Sequence, residues 1–428
     1  MNNRVSFRPH VESLEIRCTP AVTATYVVAT KTLNVRGSVT NPGDVLLIDY
    51  TSGTTVDVYD GATQVTGAPF ANVNHVNVVT TNADDEIDVA LNGFTTGGNL
   101  CINMCAGNNN LTINKAAVAG STVGGLMLVY GGAGEDNIDV TSITVTKDSV
   151  ISANGGIDDT LDILNSEFKG NVNVYQVNFV GVQGTTVGSL ATPKNLTFFG
   201  GNGRNEIIVG GATNPSTING DLRLISPLLI GNKVGLSTLQ LESSSVGRNL
   251  VFTSSLFANF GSDLSVDEFS TVEGDCLFTG TNKSDQVTIS GQINKRLIVD
   301  TRAEGDLVTI ATTANVRNQA RITLGSGSDV LDIEGTAFIG NGAANVIFVD
   351  AGTGDDKITM DANSTINGTG NIMLGTGDDA FLAVGGAPLV TGASLTIAGG
   401  TGTDTINSAT YPALTAAPFI LLTFETFI

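Results

Sequence analysis

Carboxylates recur in this chain behind one kind of turn. A glycine, any residue and a second glycine are followed by one or two acids and then by alternating apolar residues. The phrase stands at Gly132-Ala133-Gly134-Glu135-Asp136-Asn137-Ile138, at Gly325-Ser326-Gly327-Ser328-Asp329-Val330-Leu331 and at Gly352-Thr353-Gly354-Asp355-Asp356. It returns at Gly375-Thr376-Gly377-Asp378-Asp379 and at Gly400-Thr401-Gly402-Thr403-Asp404. Looser copies carry Asp85, Asp158 with Asp159, Asp285 and Asp306, and one has Asn205 in the acid's place. If these turns stack, carboxylates lie ~4.8 Å apart along one edge. Two full charges at that distance repel by roughly 1 kcal/mol in water, and by more when partly desolvated. Calcium, which takes about six to eight oxygens, would answer that repulsion, with glycine-rich turns adding carbonyls. The expected ligands are Asp136, Asp158, Asp159, Asp329, Asp355, Asp356, Asp378, Asp379 and Asp404. The competing account needs no metal. Glycine permits positive φ in a tight turn, and an aspartate ahead of a strand accepts backbone N–H groups as an Asx turn.

The spacing of these acids says what must position them. The last acids of the turns, 136, 159, 285, 306, 329, 356, 379 and 404, have adjacent spacings of 23, then 21, 23, 27, 23 and 25. The gap of 126 between 159 and 285 holds about five such periods, so one register runs over some 320 positions, about 14 turns. Each period carries a second apolar segment midway, such as Gly274-Asp275-Cys276-Leu277-Phe278 or Gly370-Asn371-Ile372-Met373-Leu374. A period therefore reads as turn, short strand, polar bend, short strand. Strands this short do not stand alone, and one period has too few apolar side chains to bury by itself, so neighbours must stack. Alternation sends Ile358 and Met360 inward and Lys357 and Thr359 outward. The expected fold is all-β: a right-handed parallel β-helix, which the period resembles, of about 14 coils and ~65–70 Å long. An antiparallel stack with one hairpin per period is the structural rival. The repeats span 81–410, residues 22–80 read as a β-rich N-terminal cap or first irregular coils, and the apolar 411–428 read as a closing strand or a sticky end for assembly.

Composition narrows the function. The 428 residues include 52 glycines and no tryptophan, and the net charge of -21 repels nucleic-acid phosphate. A hydrophobic share of 41% is enough to fill a core, against simple disorder. No run of 18 apolar residues predicts a transmembrane helix. Alternation through Leu100-Cys101-Ile102-Asn103-Met104-Cys105 puts both thiols on the outer face, ~13 Å apart and too far to bridge. The two histidines, His10 and His75, stand far apart, and the residues show no catalytic triad, phosphate loop or metal-histidine cluster.

Two resemblances add to this. Val11-Glu12-Ser13-Leu14-Glu15-Ile16-Arg17-Cys18-Thr19-Pro20, within residues 1–21, resembles the LExLExRxxP leader of exported planctomycete proteins, with Val11 replacing the usual leucine. The likeness implies an extracellular or cell-envelope location. Gly131-Gly132-Ala133-Gly134-Glu135-Asp136-Asn137-Ile138-Asp139 and Gly399–Asn407 resemble the calcium-binding nonapeptide of RTX proteins. RTX repeats return every nine residues, however, and these return every ~23, so only the local turn carries over. The expected role is a non-catalytic, exported structural or adhesive solenoid whose partner is a surface polysaccharide or another copy of itself. A carbohydrate-active β-helix enzyme is the alternative, since paired carboxylates are abundant.

Overall fold

The computed structural model describes residues 22–427 apart from 38–43, 155, 157, 201–202, 227–233, 257, 343–345, 392–393 and 407–418. The leader-like residues 1–21, and residues 411–418 of the expected closing strand, lie outside the described residues. Among the described residues every regular element is a β-strand. They wind into a parallel β-solenoid with three faces: a long face of 17 strands, a second face of 18 and a short face of 13. From His75–Val79 onward the named strands pair in parallel with the next coil, as Gln286–Ile289 does with Leu307–Ile310, so the hairpin stack is ruled out. The corner position runs from Asp85 through Asn109, Asp136 and their successors to Asp404, 14 places by register that bound 13 complete turns among the described residues, in keeping with the expected number of about 14.

The expectation of two strands per period is corrected to three. The third is usually only two residues long, as at Thr144–Val145, Thr271–Val272 and Gln292–Ile293. So short a strand carries one inward side chain, too few to show alternation. Stacking supplies what each coil lacks. Val287, Val308, Leu331 and Ile358 are in register on the second face and fully buried. Val272, Ile293, Val316 and Ile339 do the same on the short face. Each such burial contributes about 1.5–3 kcal/mol. On the long face Phe252 and Phe278 meet edge to face at 5.2 Å, a favoured aromatic geometry.

Strand pairing leaves the bends to be satisfied, and side chains do this from coil to coil. Between the second and short faces, Thr185, Ser216 and Ser244 each donate a backbone N–H to the next coil's hydroxyl, Ser216, Ser244 and Ser270, at 2.8–3.2 Å. Between the short and long faces the N–H groups of Asn195, Asp221, Asn249 and Asp275 donate back to Asn171, Asn195, Asp221 and Asn249 at 2.8–3.1 Å. These ladders satisfy bend donors that would otherwise be buried unpaired.

The solenoid starts differently. Thr23–Val27 pairs antiparallel with Thr32–Arg36, and Leu46–Ser52 pairs antiparallel with Thr55–Asp60. The inner strand of each pair then starts a parallel ladder, onto His75–Val79 and Glu86–Ala90. At the other end Phe419–Leu422 extends the long face from Leu395–Thr401.

The glycines of the acidic turn are demanded by contact as well as by φ. Gly354 has φ +124°, and a Cβ there would stand 1.8 Å from the Gly327 carbonyl of the preceding coil. Gly354→Ala is expected to cost at least 2–3 kcal/mol, through backbone strain and a clash that stacking cannot relieve. Denaturant unfolding, or protease cleavage near this turn, would measure it; unchanged stability would refute the tight stacking.

Candidate functional site

The acidic turns occupy the corner between the long and second faces. Consecutive residues of an extended chain point to opposite sides, and this divides the nine expected ligands. Asp136, Asp159, Asp329, Asp356, Asp379 and Asp404 point into the corner and are at most 2% exposed. Asp158, Asp355 and Asp378 point out to solvent. The expectation of carboxylates along one edge is therefore corrected to two columns: Asp356, Asp379 and Asp404 stand in an inner one, and Asp355 and Asp378 in an outer one.

The inner column is a hydrogen-bonded ladder. The N–H of Asp136 donates to Asp159 Oδ1 at 2.9 Å. Those of Asp285, Asp306, Asp329 and Asp356 donate to Oδ1 of Asp306, Asp329, Asp356 and Asp379 at 2.7–2.9 Å. Asp379 donates to Asp404 at 3.2 Å, and Asp404 to Glu425 Oε2 at 3.0 Å. Asn109 takes a rung near the start, with its N–H 3.2 Å from Asp136 Oδ1. The outer acids make a shorter ladder, in which Asp378 N–H donates to Asp355 Oδ1 and Thr403 N–H to Asp378 Oδ1.

The second carboxylate oxygen has two fates, and the reach of the long-face strand accounts for part of the division. At Met127–Tyr130 and Cys276–Thr279, where that strand stops early, the oxygen accepts an N–H from four residues back: Gly132 to Asp136 at 3.0 Å, Thr281 to Asp285 at 2.8 Å. In the last four Gly-x-Gly turns the strand continues through the first glycine, as Gln319–Ser326, Ile347–Thr353, Gly370–Thr376 and Leu395–Thr401. The N–H four residues back is then drawn into the strand or, at Gly400, donated to Thr423 Oγ1. Oδ2 of Asp329, Asp356, Asp379 and Asp404 is left buried with no hydrogen-bond partner, as it also is at Asp159 and Asp306 behind the shorter strands Ser149–Ser152 and Arg296–Asp300.

Burial is the main cause that pushes these carboxyls up, opposed by the N–H bonds and reinforced in several cases by neighbouring carboxylates. Asp159, Asp285 and Asp379 are raised to about 6, Asp356 to about 7 and Asp306 to about 8. Asp136, Asp329 and Asp404 are raised for the same leading reason. The column therefore takes up protons near neutral pH. Asp285 and Asp306, present in the spacing series but not among the expected ligands, belong to this column. So does Glu425, whose 21-residue distance from Asp404 was its signal. Among the described residues, no three or more histidine, cysteine, aspartate or glutamate side chains are gathered to hold a metal ion.

No family model, no curated protein and no solved structure matches this chain.

Proposed function

We propose that this protein is a non-catalytic structural or adhesive β-solenoid of the cell surface or envelope. The observation that carries the reading is the repetition of one coil with hydrogen-bonded ladders in all three corners, which builds a rod ~60 Å long whose faces differ in character. The second face carries outward acids and threonines, such as Asp139, Asp162, Asp332 and Thr359. The long face carries outward apolar and aromatic side chains, among them Val150, Tyr175, Phe199 and Leu277. A rod with unlike faces suits lateral contact with a surface polysaccharide or another copy. The leader-like segment supports export. Fractionation of the source cells tests the reading, and recovery of the intact protein wholly in soluble cytoplasm would overturn it.

Calcium is the ion these turns would accept, because six buried oxygens of the inner column lack a partner and carboxylate oxygen suits a hard cation.

One feature favours the second reading, a carbohydrate-active enzyme. Asp139 and Asp162 are neighbours in register on the outside of the second face, and both are raised mainly by burial. Asp162 leans over Gly181, where a Cβ would meet its Oδ1 at 2.5 Å, and beyond it a groove of about 280 Å³ is walled by Phe179, Gln183 and Glu206. A carboxyl with a raised pKa beside a second acid is suited to general acid catalysis. On this reading a polysaccharide panel shows turnover, and Asp162→Asn lowers it at least 100-fold. Turnover unaffected by that change would remove the assignment.

A further inference from the structure

One outward column of the long face holds Tyr130, Ser152, Tyr175 and Phe199 in successive coils. Tyr175 and Phe199 stack with ring centroids 4.5 Å apart and planes 4° from parallel. Their spacing matches that of the strands, so the column is an aromatic ladder along the rod. At Ser152 the ladder lacks a rung. Tyr130 and Tyr175 are two strand spacings apart, ~9.6 Å, which is room for one ring at stacking distance from both. Phe199 covers one face of Tyr175, and the other face turns toward the missing rung.

The gap lies in an open groove of about 530 Å³ that runs over Tyr130, Val150, Asn154, Tyr175 and Phe199, with Ser152 buried at its floor. Its polar rim is partly held in place. Ser152 Oγ donates to Asn154 Oδ1 at 2.6 Å, and Asn154 Nδ2 donates to the Gly131 carbonyl at 3.2 Å. Each amide group of Asn154 keeps hydrogen-bonding capacity beyond these contacts, and Gln176 is exposed beside it.

We propose that this missing rung is a binding subsite for one pyranose ring of a neutral glycan. The two tyrosines would cover the faces of the sugar, while Asn154 and Gln176 meet hydroxyls at its edge. A hydroxyl-free aromatic guest would gain nothing from those rim amides, which stay with water. The side chains around the gap are uncharged, and a net charge of -21 disfavours a polyanionic glycan. The proposal rests on the adhesive reading above for its role. Localisation tests that reading, and binding by the purified chain tests this one.

The experiment is affinity electrophoresis of the full chain through gels containing neutral glucan, mannan or xylan, with polygalacturonate as the anionic comparison. The expected result is retardation by at least one neutral glycan and not by polygalacturonate. Ser152→Phe, which fills the rung, abolishes the retardation, and Tyr130→Ala at an exposed position weakens apparent affinity at least tenfold. Leu190→Ala, on a remote exposed loop, leaves it unchanged. Circular dichroism confirms that each variant is folded, and Tyr130→Ala decides the matter if Ser152→Phe is not. The proposal is overturned by absence of retardation in every neutral glycan. It is also overturned by full retention in Tyr130→Ala, or by displacement with millimolar phenol where the same concentration of glucose does not displace.

Discussion

Lowering the pH from 8 to 5 is expected to raise the melting temperature of this protein, by on the order of 5 °C. The ladder aspartates hold their protons to higher pH in the folded chain than in the unfolded chain, where an aspartate titrates near 3.9. Their contribution is complete below about pH 4 and is lost as the pH rises through 6 at Asp159, Asp285 and Asp379, 7 at Asp356 and 8 at Asp306. In this window the folded state binds more protons than the unfolded one, so stability falls as pH rises. A pKa displaced by one corresponds to ~1.4 kcal/mol, and five such groups sum to several kcal/mol even when heavily discounted for coupling. Asp275 acts in the opposite sense, because Arg296 holds its carboxyl below the usual range; its loss belongs to pH values below that window. Thermal unfolding followed by circular dichroism from pH 4 to 8 measures the slope. Calcium in the column predicts another pattern: melting at pH 7.5 falls with excess chelator, and acid lowers it by protonating the ligands. A melting point indifferent to chelator removes the metal. One that falls steadily on acidification from 8 to 5 refutes the proton account.

The second large effect is at Asp356, which sits between two other ladder carboxylates. Asp356→Asn keeps the acceptor for the Asp329 N–H and removes a charge stacked ~4.8 Å from each neighbour. At an effective dielectric near 20, each such repulsion is roughly 3 kcal/mol before relaxation. The chain already contains the amide solution. Asn109 Nδ2 donates to the Gly107 carbonyl at 3.1 Å and to Asp136 Oδ1 at 2.8 Å. The equivalents for residue 356 are the Gly354 carbonyl and Asp379 Oδ1. The asparagine variant is therefore expected to be more stable than the parent at pH 7.5, by about 1–3 kcal/mol, and to show a shallower pH slope. Asp356→Ala leaves the Asp329 N–H buried without an acceptor, and should be ~1–3 kcal/mol less stable than the asparagine variant. Denaturant midpoints at pH 7.5 and 5 test both. An asparagine variant less stable than the parent at pH 7.5 would show that the charge at this position is needed, as a bound cation requires.

Much of this architecture was legible in the residues. The recurrence of acids behind Gly-x-Gly, at spacings of 21 to 27, required stacked coils, and the inward set around Ile358 and Met360 followed from alternation. The third face was not legible, because a strand such as Thr144–Val145 contributes one inward residue and no visible period. Nor could the twin acids be sorted. Asp355 and Asp356 are chemically identical neighbours, and only the path of the turn sends one outside and the other into the corner.

The sequence alone determined the all-β class, the length of the coil and the glycine-acid turn, because these follow from local steric rules and a period repeated many times. The tertiary structure alone decided which carboxylates lose their water and which aromatic residues meet. Tyr130, Tyr175 and Phe199 are 45 and 24 positions apart, and bends of unequal length between them leave their alignment to the hydrogen-bond register of the stacked strands. Burial and stacking are properties of that register, and no single coil contains them.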